Sequence, residues 1–177
     1  MPHRAPSGFT LIELLIVVAI IGIIAAIAVP GLMRARMAGN ETSAIGSLRA
    51  INNAEASYAS SCGQGFYAGT LADLAKPPAA GSEGFIGPDL SSDPSTKSGY
   101  DVAMTAGDAA TGATGCNAPG SLAQAYFVAA NPRVANSTGT RRFGTNQGGT
   151  IYQSTATPPV ALTVTLVGAP SAAAPIQ

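Results

Sequence analysis

Residues able to do acid–base or nucleophilic chemistry are scarce in this chain. Its one histidine is His3, and its only thiols are Cys62 and Cys116. A Ser-His-Asp or Cys-His relay needs an imidazole beside the nucleophile, and histidine-ligated zinc needs more than one. His3 lies next to Arg4 in a short head ahead of a long apolar run, so neither arrangement can be built from the rest of the chain. Carboxylate chemistry alone remains, and no spacing calls for it, so the chain is read as a non-enzyme. Asp89, Asp93, Asp101 and Asp108 match no EF-hand spacing and are expected to be solvated loop carboxylates, so no metal or cofactor is assigned. Arg141 and Arg142 are adjacent on an expected strand and point to opposite faces. With Arg133 they are therefore read as a solvated edge rather than an anion-binding patch. With 9 basic and 9 acidic residues and 10% charged residues in all, the chain gives no strong nucleic-acid signal.

The remaining chemistry-bearing residue is Glu13, and its setting is unusual. Phe9 to Met33 reads FTLIELLIVVAIIGIIAAIAVPGLM, with Glu13 as the single charge in 25 positions. The twenty uncharged residues from Leu14 to Met33 would span about 30 Å as a helix, the thickness of a bilayer core. A carboxylate inside such a span costs on the order of 2–3 kcal/mol, which makes it a functional candidate by default. Snorkelling to the interface is the simpler alternative. A secretory signal would carry its cleavage site after a shorter apolar core. Here the small-residue pair Ser7-Gly8 precedes the apolar run, so a cut there would leave the whole helix on the product.

The string Gly8-Phe9-Thr10-Leu11-Ile12-Glu13 resembles the prepilin peptidase motif of type IV pilins and of the related pseudopilins of type II secretion. The resemblance implies cleavage between Gly8 and Phe9 and N-methylation of Phe9. It also implies a role for Glu13 in subunit assembly, opposite the N-terminal amine of a neighbouring copy. A buried carboxylate stays charged at low cost only opposite a cation, and the new α-amino group is one. Gly22 and Pro30 fall where the family places helix-weakening residues; Pro30 removes an interior hydrogen bond and is expected to kink or break the helix locally. The implied partners are other copies of the chain, the prepilin peptidase, the assembly machinery and the inner membrane before assembly. The implied location is a single-pass precursor in the inner membrane, then an extracellular pilus or a periplasmic pseudopilus.

The elements that position these residues follow from periodicity. Ala44, Ile45, Leu48, Ile51 and Tyr58 recur at helical spacing, with Arg34, Arg36, Asn40, Arg49 and Asn53 on other faces. One helix is therefore expected from Phe9 to Ser60, apolar all round in its first half and amphipathic in its second. Thr70-Leu-Ala-Asp73 has the spacing of a capping box and opens a short helix that Pro77-Pro78 ends. Pro77 to Ser98 is expected to be loop. Strands are expected at Gly99–Ala106, Leu122–Ala130, Thr140–Thr145 and Thr150–Gln153. Asn146-Gln-Gly-Gly should turn between the last two, and Val160–Val167 is a further candidate. The fold class is α+β: a long N-terminal helix with an antiparallel sheet packed on its second half. The expected divisions are a leader at 1–8, a transmembrane or filament-core helix at 9–33, an amphipathic helix at 34–60 and a β-sheet head at 61–177.

If the head is exported, oxidation is permitted and Cys62 can pair with Cys116. Such a bridge would stabilise by roughly 4 kcal/mol on the chain-entropy model. Its spacing departs from the family, whose disulfide usually brackets a C-terminal loop. Three roles are weighed: a type IV pilus subunit first, then a type II pseudopilin, then a minor pilin with a part in adhesion or DNA uptake.

Overall fold

The computed structural model describes residues 8–117, 122–155 and 173–176. The chain divides into two compact units, Met1–Arg36 and Met37–Gln177. The first helix, α1, is Leu11–Ser61, one residue or two from the expected bounds, and Pro30 lies inside it without ending it. Proline has no N–H to offer the Ala26 carbonyl, so one rung of the helical ladder is missing there.

In the second unit the buried face of α1 is formed by Glu41, Ala44, Ser47, Leu48, Ile51, Ala54, Glu55 and Tyr58. The expected stripe is present, with Ile45 at its margin, but two carboxylates lie within it. Two strands, β1 (Tyr67–Ala68) and β4 (Leu122–Ala123), form a small antiparallel ribbon. Helix α2 is Leu71–Ala75, and the Thr70 side chain caps it by accepting the Asp73 N–H, as the capping-box spacing predicts.

Among the described residues the main sheet has six strands: β2 (Ser95–Lys97), β3 (Tyr100–Ala106), β5 (Tyr126–Pro132), β6 (Arg142–Asn146), β7 (Ile151–Ser154) and β8 (Ala174–Pro175). They lie in the order β2-β3-β5-β6-β7-β8, every pair antiparallel. Along β3, Tyr100, Val102 and Met104 point inward, the period-two pattern of a half-buried strand. Their side chains meet Leu48, Ile51 and Tyr58 of α1 in one core with Leu71, Leu74, Val128 and Phe143. Burying one such aliphatic side chain contributes about 1.5–3 kcal/mol.

Some expectations are corrected. Leu122–Ala130 is not one strand: β4 pairs with β1, and after Gln124-Ala125 the chain re-enters the main sheet as β5. The stretch from Pro77 to Ser98 is not wholly loop, since it holds a single 3-10 turn at Pro88–Leu90 and the edge strand β2. The β6–β7 turn falls where expected, closed by the Gly149 N–H donating to the Asn146 carbonyl at 2.9 Å. Gly149 has φ +73°, a left-handed conformation that suits glycine. The candidate strand Val160–Val167 lies outside the described residues.

Candidate functional site

The N-terminal segment begins as a capped helix. Glu13 Oε2 accepts the Thr10 N–H at 2.9 Å and the Thr10 hydroxyl at 2.6 Å. The Thr10 hydroxyl oxygen in turn accepts the Glu13 N–H at 3.3 Å. This reciprocal pair is a capping box. It satisfies backbone donors that the first helical turn leaves open, and it places a carboxylate at the positive end of the helix. This cap is not among the expectations drawn from the sequence. The signal was nonetheless present, a threonine three residues before a glutamate, as at Thr70-Leu-Ala-Asp73. Among the described residues Glu13 Oε1 receives no hydrogen bond, so half of the carboxylate stays open.

From this cap onward, α1 presents apolar side chains on every side. The large ones from Phe9 to Met33 are between 49% and 87% exposed. Gly22 and Pro30 lie among them, and no side chain comes near Gly22. A helix greasy all round is normally covered by protein or lipid, and an apolar surface of this extent marks an interaction or membrane site. The helix is long and apolar enough to cross a membrane. Gly8 and Phe9 are exposed at its start. His3, Arg4 and Ser7 lie outside the described residues.

In the head, Cys62 and Cys116 form a disulfide with their Cα atoms 4.9 Å apart. It fixes the end of α1 to the chain leading into β4. Beside it, Asn117 accepts the Tyr58 hydroxyl at 3.0 Å and donates to the Asp73 carbonyl at 2.7 Å. The bridge is therefore part of a polar clamp joining α1 to α2.

Arg133 is exposed as the solvated-edge reading expects, but Arg141 is not. Arg141 forms an ion pair with Glu41 at 2.7 Å, and its Nη1 also donates to Gln153 at 2.9 Å. Glu41 is 5% exposed and accepts from the Thr140 N–H, the Thr140 hydroxyl and the Arg141 N–H, at 2.9, 3.0 and 3.1 Å. Burial pushes its carboxyl up. The hydrogen bonds from Thr140 and Arg141 outweigh that and hold it below the usual carboxylate range. This pair fastens α1 to the start of β6, so it is structural. Arg142 has a partner of its own.

Glu55 is the opposite case. It is fully buried, its Oε2 accepts the Ala68 N–H at 3.0 Å, and Oε1 has no partner among the described residues. Burial pushes its carboxyl up to about 8, with the Ala68 hydrogen bond pulling weakly the other way. At neutral pH it is a neutral acid held in the core.

The aspartates are mostly occupied in structure. Asp93 accepts the Leu71 N–H and the Met104 N–H, both at 2.8 Å, joining α2 to β3. Asp89 pairs with Lys97, and Asp101 accepts the Thr96 hydroxyl. Among the described residues no three of His, Cys, Asp or Glu converge as a metal cage. No described cluster joins a nucleophile to a base.

A family model described as the prokaryotic N-terminal methylation motif covers residues 3–29. The chain is 49% identical over 51 residues to the type IV major pilin protein PilA of Myxococcus xanthus, covering 29% of this chain and 23% of that one. It is 59% identical over 39 residues to the type IV wide pilus major component PilA4 of Thermus thermophilus, covering 22% of this chain and 30% of that one. It is 39% identical over 54 residues to the type II secretion system core protein G of Aeromonas hydrophila, covering 30% of this chain and 38% of that one. The matches thus span well under half the length of these relatives, and no solved structure matches the chain. The family model falls on the segment that holds the Gly8–Glu13 string and the capped apolar helix, and the chain is similar to a type IV major pilin, a type IV wide pilus component and a type II secretion core protein.

Proposed function

We propose that this chain is a structural subunit of a type IV pilus. In this reading it is a membrane-anchored precursor cut between Gly8 and Phe9 and methylated at Phe9. It is then packed by the first half of α1 into a filament. The supporting observation is the exposed apolar stretch of α1 with one carboxylate at its head. Such a surface needs lipid before assembly and neighbouring helices after it.

The capping box gives the assembly step a specific chemistry. Glu13 Oε2 is engaged by Thr10, while Oε1 is open to a cation. Cleavage creates such a cation, the amine of Phe9 on an adjacent copy. Pairing there neutralises a charge that would otherwise be costly among apolar helices. Gly22 and the missing rung at Pro30 would let α1 loosen locally as the helices pack.

The match to a type II secretion core protein supports the alternative, a pseudopilin. Deletion separates the two: loss of surface filaments supports the pilus subunit, while loss of protein secretion with surface filaments intact supports the pseudopilin. Changing Glu13→Ala tests the shared mechanism. The variant should be cleaved and remain in the membrane fraction without entering filaments. Filaments at wild-type yield from that variant would refute the role given to Glu13.

A further inference from the structure

An open filament is held by heterologous contacts, so each copy must offer two different surfaces that fit one another. The charges of the head unit show which surfaces remain uncommitted. Glu41, Asp73 and Asp89 are paired with Arg141, Lys76 and Lys97. Asp93 and Asp101 are taken up by hydrogen bonds within the fold, and Glu55 is buried. Among the described residues of the head, Arg49, Arg133, Glu83 and Asp108 remain exposed without an ion pair or side-chain hydrogen bond.

Arg49 sits on a groove of about 700 Å³. One wall is the outer face of α1 at Asn53, Ala56 and Ser60, and the other includes Gly65 and the β6–β7 turn at Gly148. The small side chains at Ala56, Ser60 and Gly65 leave room for a chain segment.

Glu83 ends a turn of matching character. Ala79, Ala80, Gly81 and Ser82 are all small and exposed. The turn is closed on itself: the Ser82 N–H donates to the Ala79 carbonyl at 3.1 Å, and the Ser82 hydroxyl accepts the Ala79 N–H at 3.0 Å. A turn ordered in advance loses little entropy on docking. Asp108 is less suited, because its carbonyl accepts the Gln124 N–H and the adjacent Gly107 N–H donates to Ala125, which ties it to the backbone of the β4–β5 region.

We propose that the Ala79–Glu83 turn of one copy docks in the α1 groove of the next, with the Glu83 carboxylate opposite the Arg49 guanidinium. The occupant is a second copy of this chain, so the proposal rests on the filament reading. Charge complementarity of this kind sets register and partner choice more than raw affinity.

The test is a charge exchange in the full chain, read as the yield of sheared filaments. Arg49→Glu and Glu83→Arg alone should each lower the yield by about tenfold, the size of a lost favourable pair. The double exchange should restore most of it, whereas Arg49→Glu with Asp108→Arg should not. Wild-type yield from both single variants, or rescue by the Asp108 exchange instead, overturns the contact. The conservative Arg49→Lys variant gives a second reading. Zero-length carbodiimide coupling of its filaments should link position 49 of one copy to Glu83 of another, and filaments that give no such crosslinked peptide also overturn it. If the wild-type chain makes no filaments, the filament reading itself falls, and this contact with it. If wild-type filaments form but the exchanges have no effect, the contact alone fails.

Discussion

Glu55 offers the most quantitative test of the head's packing. Its carboxyl is fully buried, it accepts one hydrogen bond from the Ala68 N–H, and burial lifts its folded-state value to about 8 from an ordinary 4.5. The nearby titratable groups are tyrosines: the Glu55 carboxylate helps raise both Tyr58 and Tyr126, and none of these offsets a negative charge. Between those two values the folded chain holds a proton that the unfolded chain has released. Stability from this site is therefore fully present below the unfolded value and is lost as pH rises toward the folded one. The slope is about 1.4 kcal/mol per pH unit, so moving from pH 5.5 to 7.5 should cost on the order of 3 kcal/mol. Glu55→Gln keeps an acceptor for Ala68 and removes the proton. The variant should start less stable at pH 5.5, by about 1–2 kcal/mol for its unpaired amide, and be the more stable of the two by pH 8. Urea unfolding of the full chain in detergent micelles, followed by tyrosine fluorescence, reads this directly, since the chain has 5 tyrosines and no tryptophan. The difference between the two profiles cancels every other group, including His3. Parallel profiles for wild type and variant across this range would refute the account of Glu55 as a buried neutral acid.

Other predictions follow from individual contacts. Arg141→Ala should lower stability at neutral pH by roughly 2–4 kcal/mol, because it leaves the buried Glu41 carboxylate without its cation. Glu41 is held below its unfolded value, so its contribution is present above about pH 4.5 and is lost as pH falls through the folded value; Arg141→Ala should flatten that acid limb in the same urea assay. Replacing Cys62 and Cys116 by serine should cost about 4 kcal/mol for a loop of this length, and the intact mass of the wild-type chain should rise by two hydrogens on reduction. Gly139→Ala would place a Cβ against the Tyr100 hydroxyl, displacing it from the Arg141 carbonyl to which it donates at 2.7 Å. A loss of about 1–3 kcal/mol is expected for such overpacking, read as a lowered urea midpoint.

What the sequence made legible was what is encoded locally. The cap at Thr70 and Asp73 needs only four residues in succession, and β3 announces itself by alternation through Tyr100, Val102 and Met104. The β6–β7 hairpin carries its own turn residues. What escaped depends on distant partners. Nothing within Leu122–Ala130 says that its first two residues pair with Tyr67–Ala68 while the rest pair with β3. Strands β1, β2 and β8 have two or three residues each, too few to show a period. The buried carboxylates are a middle case. Glu41, Ala44, Leu48, Ile51, Glu55 and Tyr58 are spaced alternately by three and four, so extending the apolar stripe would have placed both glutamates inside it. The local sequence shows Arg141 as exposed, because its partner lies a hundred residues earlier. At the N-terminus the motif was plain, yet the Thr10 cap on Glu13 was hidden behind the interest of the carboxylate itself.

In the function proposed above, cleavage before Phe9 makes a subunit that polymerises through the exposed half of α1. Mass spectrometry of the N-terminal peptide from purified surface filaments tests it most directly. The expected peptide begins at Phe9 and carries one N-methyl group. Filaments whose subunits begin upstream of Gly8 or downstream of Glu13, or surface filaments that do not contain this chain, would contradict it.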